Sequence, residues 1–304
     1  MRQAGCMPDY GHPIRFGSFI TPVIAPPQRA VDLAKVSEDA GLDLVTFQDH
    51  PYQASFYDTW TLMAWVAAQT SRVHLSGNVL NVALRPPPVL ARAAASLDLL
   101  SEGRVALGLG AGYFWDAVES MGGRKLSVGD GITALEEALD IIRGLWDSAN
   151  RSPLSTAGKF YAVSGAQRGP QPAHEIPLWL GAYKPRMQRL IGRKADGWLP
   201  GLPALQPGDY ARGNSIIDEA AIAAGRQPAQ ITRLLNVTPN ETAADLVRLA
   251  LSDGVSVFIL LGADDSNLIR HFAERVASEV RQRVTEARSI AGPPNAASAR
   301  ETKP

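Results

Sequence analysis

Apolar residues along this chain follow two alternating rhythms: short continuous runs, and longer stretches in which they recur every three or four positions. The runs predict strands at Ile14–Ile20, Leu44–Gln48, Val73–Val79, Val105–Leu109, Pro177–Gly181, Gly197–Pro200, Ile231–Val237 and Val255–Leu261. The longer stretches predict helices at Pro26–Ala40, Thr59–Thr70, Pro88–Leu100, Pro185–Lys194, Pro207–Ala224, Glu241–Asp253 and Ser266–Val284. One further helix carries Ile132, Leu135, Leu139, Ile142, Leu145 and Trp146, whose offsets draw a single apolar stripe at helical spacing. Prolines stand at or near several helix starts, where a missing amide costs least. Eight strand–helix units in 304 residues predict an α/β protein with a (β/α)8 TIM barrel; a doubly wound open sheet is the alternative for the same alternation.

The segment from Ser148 to Ile176 breaks the rhythm after the fourth unit. It is rich in Pro and Gly, carries Lys159–Val163, and reads as a loop-plus-hairpin insertion, either a lid or a decoration. The expected organisation is a mobile arm over 1–13, one barrel domain over 14–286 with its insertion at 148–176, and a disordered tail over 287–304. Lys plus Arg and Asp plus Glu each number 30, so no bulk field favours nucleic acid or an anionic membrane, and bound anions need local partners. Cys6 is the only cysteine, which excludes a disulfide framework and a zinc–cysteine site. No signal-peptide pattern and no long apolar run stand in the sequence, so a cytoplasmic protein is expected.

In a barrel of this kind the chemistry sits at the C-terminal ends of the strands. Those positions are Thr21 and Pro22, Asp49 and His50, Asn78 to Asn81, Gly110 to Tyr113, Gly181 to Tyr183, and Pro200 and Gly201. They contain no His-x-His, the five histidines are scattered, and neither a G-x-S-x-G elbow nor a G-K-[ST] phosphate loop occurs. One ionisable pair, small residues and aromatic side chains remain, a setting for a flat organic cofactor that brings its own reactivity. Gly108, Gly110 and Gly112 alternate at the end of the fourth strand. They leave one side bare, either for a ligand against the backbone or for close packing of neighbouring elements. Phe19, Tyr52, Phe56, Tyr57, Phe114 and Trp115 add apolar surface, divided between core and site.

Six ordered motifs carry a resemblance. They are G-L-D-L-V-T-F-Q-D-H at Gly41–His50, N-V-L-N at Asn78–Asn81, R-P-P-P-V-L-A-R-A-A-A-S-L-D-L-L-S-E-G-R at Arg85–Arg104, G-L-G-A-G at Gly108–Gly112, I-P-L-W-L-G-A at Ile176–Ala182 and A-D-G-W-L-P at Ala195–Pro200. Together they resemble the bacterial luciferase-like oxidoreductases across residues 14 to 201. The resemblance implies a (β/α)8 barrel, usually a homodimer, acting on a small organic substrate with coenzyme F420 or FMN at the mouth. It also implies a non-proline cis peptide at Asn78–Val79 behind the cofactor ring. Asp49 and His50 would lie beside the ring, Ala111, Gly112 and Tyr113 at its edge, and Gly181, Ala182 and Tyr183 along the ribityl chain and phosphate, with Lys184 and Arg186 as cations. Asp49 alone also reads as a helix cap.

His50 and Tyr113 are the candidate catalytic residues, proton donors beside a hydride acceptor. Ala111 in the glycine turn favours coenzyme F420-dependent hydride transfer over an FMN-dependent monooxygenase, many of whose members carry Arg at the matching place. Two departures favour a third reading, a flavin-binding barrel without catalytic activity. Tyr113 stands where several deazaflavin-dependent relatives carry Glu, and the link from Asn236 to Glu241 is shorter than the segment that helps hold the phosphate in relatives.

Overall fold

The computed structural model describes residues 9–291. Its elements are β1 (Arg15–Ile20), α1 (Arg29–Asp39), β2 (Leu44–Phe47), α2 (Thr59–Ala67), β3 (His74–Gly77), β4 (Leu80–Asn81), α3 (Pro87–Leu100), β5 (Leu107–Gly110), α4 (Trp115–Ser120) and α5 (Val128–Trp146). They continue with β6 (Leu154–Ala157), β7 (Ala162–Ala166), β8 (Leu178–Leu180), α6 (Pro185–Lys194), β9 (Gly197–Trp198), α7 (Asp209–Ala223), β10 (Thr232–Val237), α8 (Ala243–Asp253), β11 (Val257–Leu260), α9 (Ser266–His271) and α10 (Ser278–Ala291). The order β3-β2-β1-β11-β10-β9-β8-β5-β4 is parallel throughout. β3 and β4 are two halves of one strand, separated by a cis peptide at Asn78–Val79. Leu75 bridges to Val105 and Leu80 pairs with Leu109, so the ends of the sheet meet and the barrel closes. The eight-unit expectation therefore holds, with its third strand broken.

Strand alternation sorts the core into two layers. Val45, Phe47, Leu107, Leu109, Leu235, Val237, Phe258 and Leu260 belong to the large cluster between sheet and helices. Leu44, Ala106, Trp179, Leu199, Leu234, Val257 and Ile259 form a second cluster inside the barrel, with Phe19 and Val79 packed against it. The expected helices are present within a few residues of their bounds. Three local features depart from the sequence reading: α4 was not anticipated, a π-helical turn at Phe272–Ala277 joins α9 to α10, and α10 runs on to Ala291 where a tail from 287 was expected. Among the described residues no helix is long and apolar enough to cross a membrane.

The insertion is the antiparallel pair β6–β7, laid along the flank of the barrel. Glu137 of α5 accepts the backbone amides of Lys159, Phe160 and Tyr161 at 2.8–2.9 Å, and Tyr161 donates to Val82 O behind β4. Of the segment expected as an arm, residues 9–12 are bonded to the barrel's N-terminal end. Tyr10 donates to Asp218 and lies over the buried Arg233, while Asp9 accepts from Nε and one terminal nitrogen of Arg288 at 2.7 Å. The expectations for 1–8 and 292–304 fall outside the described residues.

Candidate active site at the barrel mouth

Strand β3 ends in a break that shapes the mouth. Val79, just past the cis bond, packs against a glycine at the end of β5 and another just past β8: a Cβ on Gly110 would lie 2.7 Å from one Val79 methyl, and one on Gly181 would lie 3.5 Å from the other. A Cβ on Gly108 would collide with the carbonyl oxygen of Gly77. These two glycines of the fourth unit therefore serve close packing between strands, which answers the two-way reading of that run. Gly112 has φ +95°, and a Cβ there would lie 2.6 Å from the Trp115 ring. Gly112→Val should cost about 2–4 kcal/mol through left-handed backbone and overpacking together. The check is the urea midpoint; a full-strength fold with weakened cofactor affinity would instead place the glycine against the ligand.

Beneath Val79 runs a polar chain across the barrel. Asn78 Nδ2 donates to Asn236 Oδ1 at 2.7 Å and to Thr46 Oγ1 at 3.3 Å; Thr46 Oγ1 donates to Ser18 O, and Asn236 Nδ2 donates to Pro200 O. Thr46 and Asn236 are buried, and their hydrogen bonds offset the cost of that burial. Asn236 escaped sequence reasoning, although a polar residue inside the apolar run Leu234–Val237 was a signal.

Asp49 is buried and bonded within the protein. Its carboxylate accepts the amide of Asn81 at 2.8 Å and the Arg85 guanidinium at 2.8 Å, and Arg85 also reaches Asp58 at 2.7 Å. The Asp49 side chain is fully buried and that of Arg85 is 17% exposed. The helix-cap reading of Asp49 does not match this arrangement. Asp58 caps α2 instead, accepting from Thr61 N, and the Asp49–Arg85 pair fastens β2 to the turn after β4.

His50 is half-buried at the rim. Its Nδ1 lies 3.2 Å from Gln48 Nε2, its ring stacks on Tyr52 at 5.3 Å, and it meets Phe114 edge to face at 5.3 Å. Burial lowers its pKa from the ordinary imidazole value, opposed by the nearby Asp49 carboxylate. Tyr113 does not touch His50; Phe114 stands between them, 5.0 Å from the Tyr113 ring. Below this turn the Trp115 Nε1–H is buried with no hydrogen-bond partner.

On the β8 side, Gly181 faces Val79, while Ala182 is buried in the outer core and its carbonyl accepts Trp198 Nε1 at 2.8 Å. Tyr183 Oη accepts Gly201 N at 3.0 Å, tying the ends of β8 and β9 together. Lys184 precedes α6, and Arg186 reaches across to Thr133 of α5. The short seventh-unit link closes on itself, Thr238 donating to Glu241 through both its amide and its hydroxyl. A cavity of about 870 Å³ lies at the opposite, N-terminal end, among charges already paired as Arg143–Asp196 and Lys194–Asp140.

The architecture is thus a parallel (β/α)8 barrel with a small-residue and aromatic mouth centred on His50 and a cis-linked Asn78–Val79. The chain belongs to the luciferase-like monooxygenase family, whose model matches residues 11–301. It is similar to the phthiodiolone/phenolphthiodiolone dimycocerosates ketoreductase of Mycobacterium tuberculosis, 36% identical over 185 residues, covering 58% of this chain and 45% of that protein. It is also similar to the F420-dependent glucose-6-phosphate dehydrogenase of Amycolatopsis mediterranei, 32% identical over 180 residues, covering 57% of this chain and 53% of that one. The chain spans about half the length of these curated relatives. In fold it matches the coenzyme F420-dependent tetrahydromethanopterin reductase of Methanopyrus kandleri with a TM-score of 0.73 at 19% identity, covering 88% of this chain and all of that one.

Proposed function

We propose that this protein is a coenzyme F420-dependent oxidoreductase that transfers hydride between the deazaflavin and a small organic carbonyl or alcohol. The observation that carries the reading is the apolar shelf of Val79, seated against Gly110 and Gly181 with the Asn78–Asn236 amides beneath and His50 at the rim. Such a shelf fits a flat tricycle, and the orphaned Trp115 Nε1–H beside the Gly112 turn supplies an unused donor. Val79, Asn78, Ala111, Gly112 and Gly181 would hold the ring, and Tyr183 with Lys184 the polar tail. When bound and reduced, the coenzyme supplies hydride; reduction of a carbonyl then needs one proton at oxygen, which His50 Nε2 is positioned to give. The F420 dependence named for the Amycolatopsis relative supports the deazaflavin over FMN.

A homodimer and a cytoplasmic setting complete the proposal. Exposed Trp65 on α2 and Val89, Leu99 and Leu100 on α3 offer apolar surface for a second copy, and the lone Cys6 suits a reducing compartment.

Titration of the protein with coenzyme F420 and with FMN, read by cofactor fluorescence, tests the assignment. The expected result is binding of F420 at least about tenfold tighter than FMN, a difference of about 1.4 kcal/mol. The reverse preference would move the chemistry to FMN. Binding of neither by the folded protein would leave a barrel without its cofactor.

A further inference from the structure

The rim above His50 is a wall of rings contributed by two loops. His50 and Tyr52 come from the link after β2, Tyr113 and Phe114 from the link after β5. Phe114 is the keystone: it meets His50 at 5.3 Å, Tyr52 at 6.1 Å and Tyr113 at 5.0 Å, each edge to face. The wall faces water all the same, with Tyr113 83% and Phe114 49% exposed. A contiguous exposed apolar patch of this kind marks a binding surface.

The acidic residues on the link that carries His50 and Tyr52 are paired: Asp49 and Asp58 share Arg85. The hydroxyls of Tyr52 and Tyr113 are different, for neither has a hydrogen-bond partner among the described residues. Each can donate to, or accept from, an oxygen on a bound molecule. Flat faces, two available phenols and the pairing of Arg85 with Asp49 and Asp58 favour a neutral, planar partner, since rings gain edge-to-face and offset-stacked contacts that a flexible chain does not.

We propose that this wall recognises the substrate, and that the substrate is a neutral aromatic or fused-ring carbonyl compound, or the matching alcohol, rather than a sugar phosphate or a long acyl chain. The reaction assigned to this substrate rests on the oxidoreductase reading; the recognition itself does not. Isothermal titration calorimetry separates the two, using the whole protein with and without coenzyme F420 and three probes: 2-acetonaphthone, 2-dodecanone and glucose 6-phosphate.

The aryl ketone should bind at least about tenfold tighter than the alkyl ketone, and the sugar phosphate should give no heat. Phe114→Leu keeps apolar volume at a half-exposed position and removes the ring. It should lower aryl-ketone affinity about tenfold and leave alkyl-ketone affinity unchanged. Equal or tighter binding of 2-dodecanone, binding of glucose 6-phosphate, or an aryl-ketone affinity untouched by Phe114→Leu would each overturn the proposal. Aryl-ketone binding that depends on Phe114 in a protein that takes no F420 would refute the cofactor reading alone and leave the wall standing.

Discussion

His50→Ala is expected to lower turnover by about 10²–10⁴-fold, the usual worth of a positioned proton-transfer group, with the thermal midpoint nearly unchanged. The fold should tolerate the change because His50 is half-buried at the rim and contributes one side-chain hydrogen bond, to Gln48, and two ring contacts. The pH profile gives a second, independent reading. Burial favours the neutral ring, so the folded pKa lies below the ordinary imidazole value of about 6.5. Protonation of a carbonyl oxygen needs the imidazolium, whose population falls as pH rises through that lowered value. Reduction should therefore decline with rising pH, with its inflection below about 6.5, while alcohol oxidation, which needs the neutral ring as base, should rise through the same inflection. Measuring kcat/KM in both directions decides the matter. Unchanged turnover in His50→Ala, or an inflection above about 6.5, would remove the residue from the chemistry.

Asp49→Ala is expected to be the more damaging change to the fold, costing about 3–5 kcal/mol. It strands the Arg85 guanidinium, 17% exposed, beside a vacated site and leaves the Asn81 amide without its acceptor. Asp58 would still hold Arg85, but that partner is the more exposed of the two, with a side chain 44% accessible. Loss of the pair loosens the link between β2 and the turn after β4, the strand piece that directly follows the Asn78–Val79 shelf. The check is a urea denaturation curve with Asp49→Leu/Arg85→Leu as the companion. Removing both charges should recover much of the loss, because the penalty lies in the unpaired ion rather than in the missing bridge. A double variant as unstable as Asp49→Ala would contradict that account.

Much of this molecule was legible before any contact was known. The eight units and the helix bounds to within a few residues came from local periodicity and from proline and glycine punctuation, while the cis peptide at Asn78–Val79 came from the family resemblance carried by the ordered motifs. The candidate site was legible as a set of strand ends, and His50, Tyr113 and Gly181 do lie on the links that form the mouth. What each residue does there was not. That Asp49 pairs with Arg85, 36 positions away, and that the Ala182 side chain is buried in the outer core could not be read from spacing alone.

By itself, then, the sequence determined the alternation of strands and helices and the strand ends that carry polar and aromatic residues, because both depend on spacing along a few neighbouring positions. Only the tertiary structure decided which of those residues meet. Barrel closure brings Asn78 to Asn236 across 158 positions, sets Val79 against Gly110 and Gly181, and joins His50 to Phe114. Such pairings follow from strand register and loop path, quantities set by the closing of the whole ring rather than by any local run of residues.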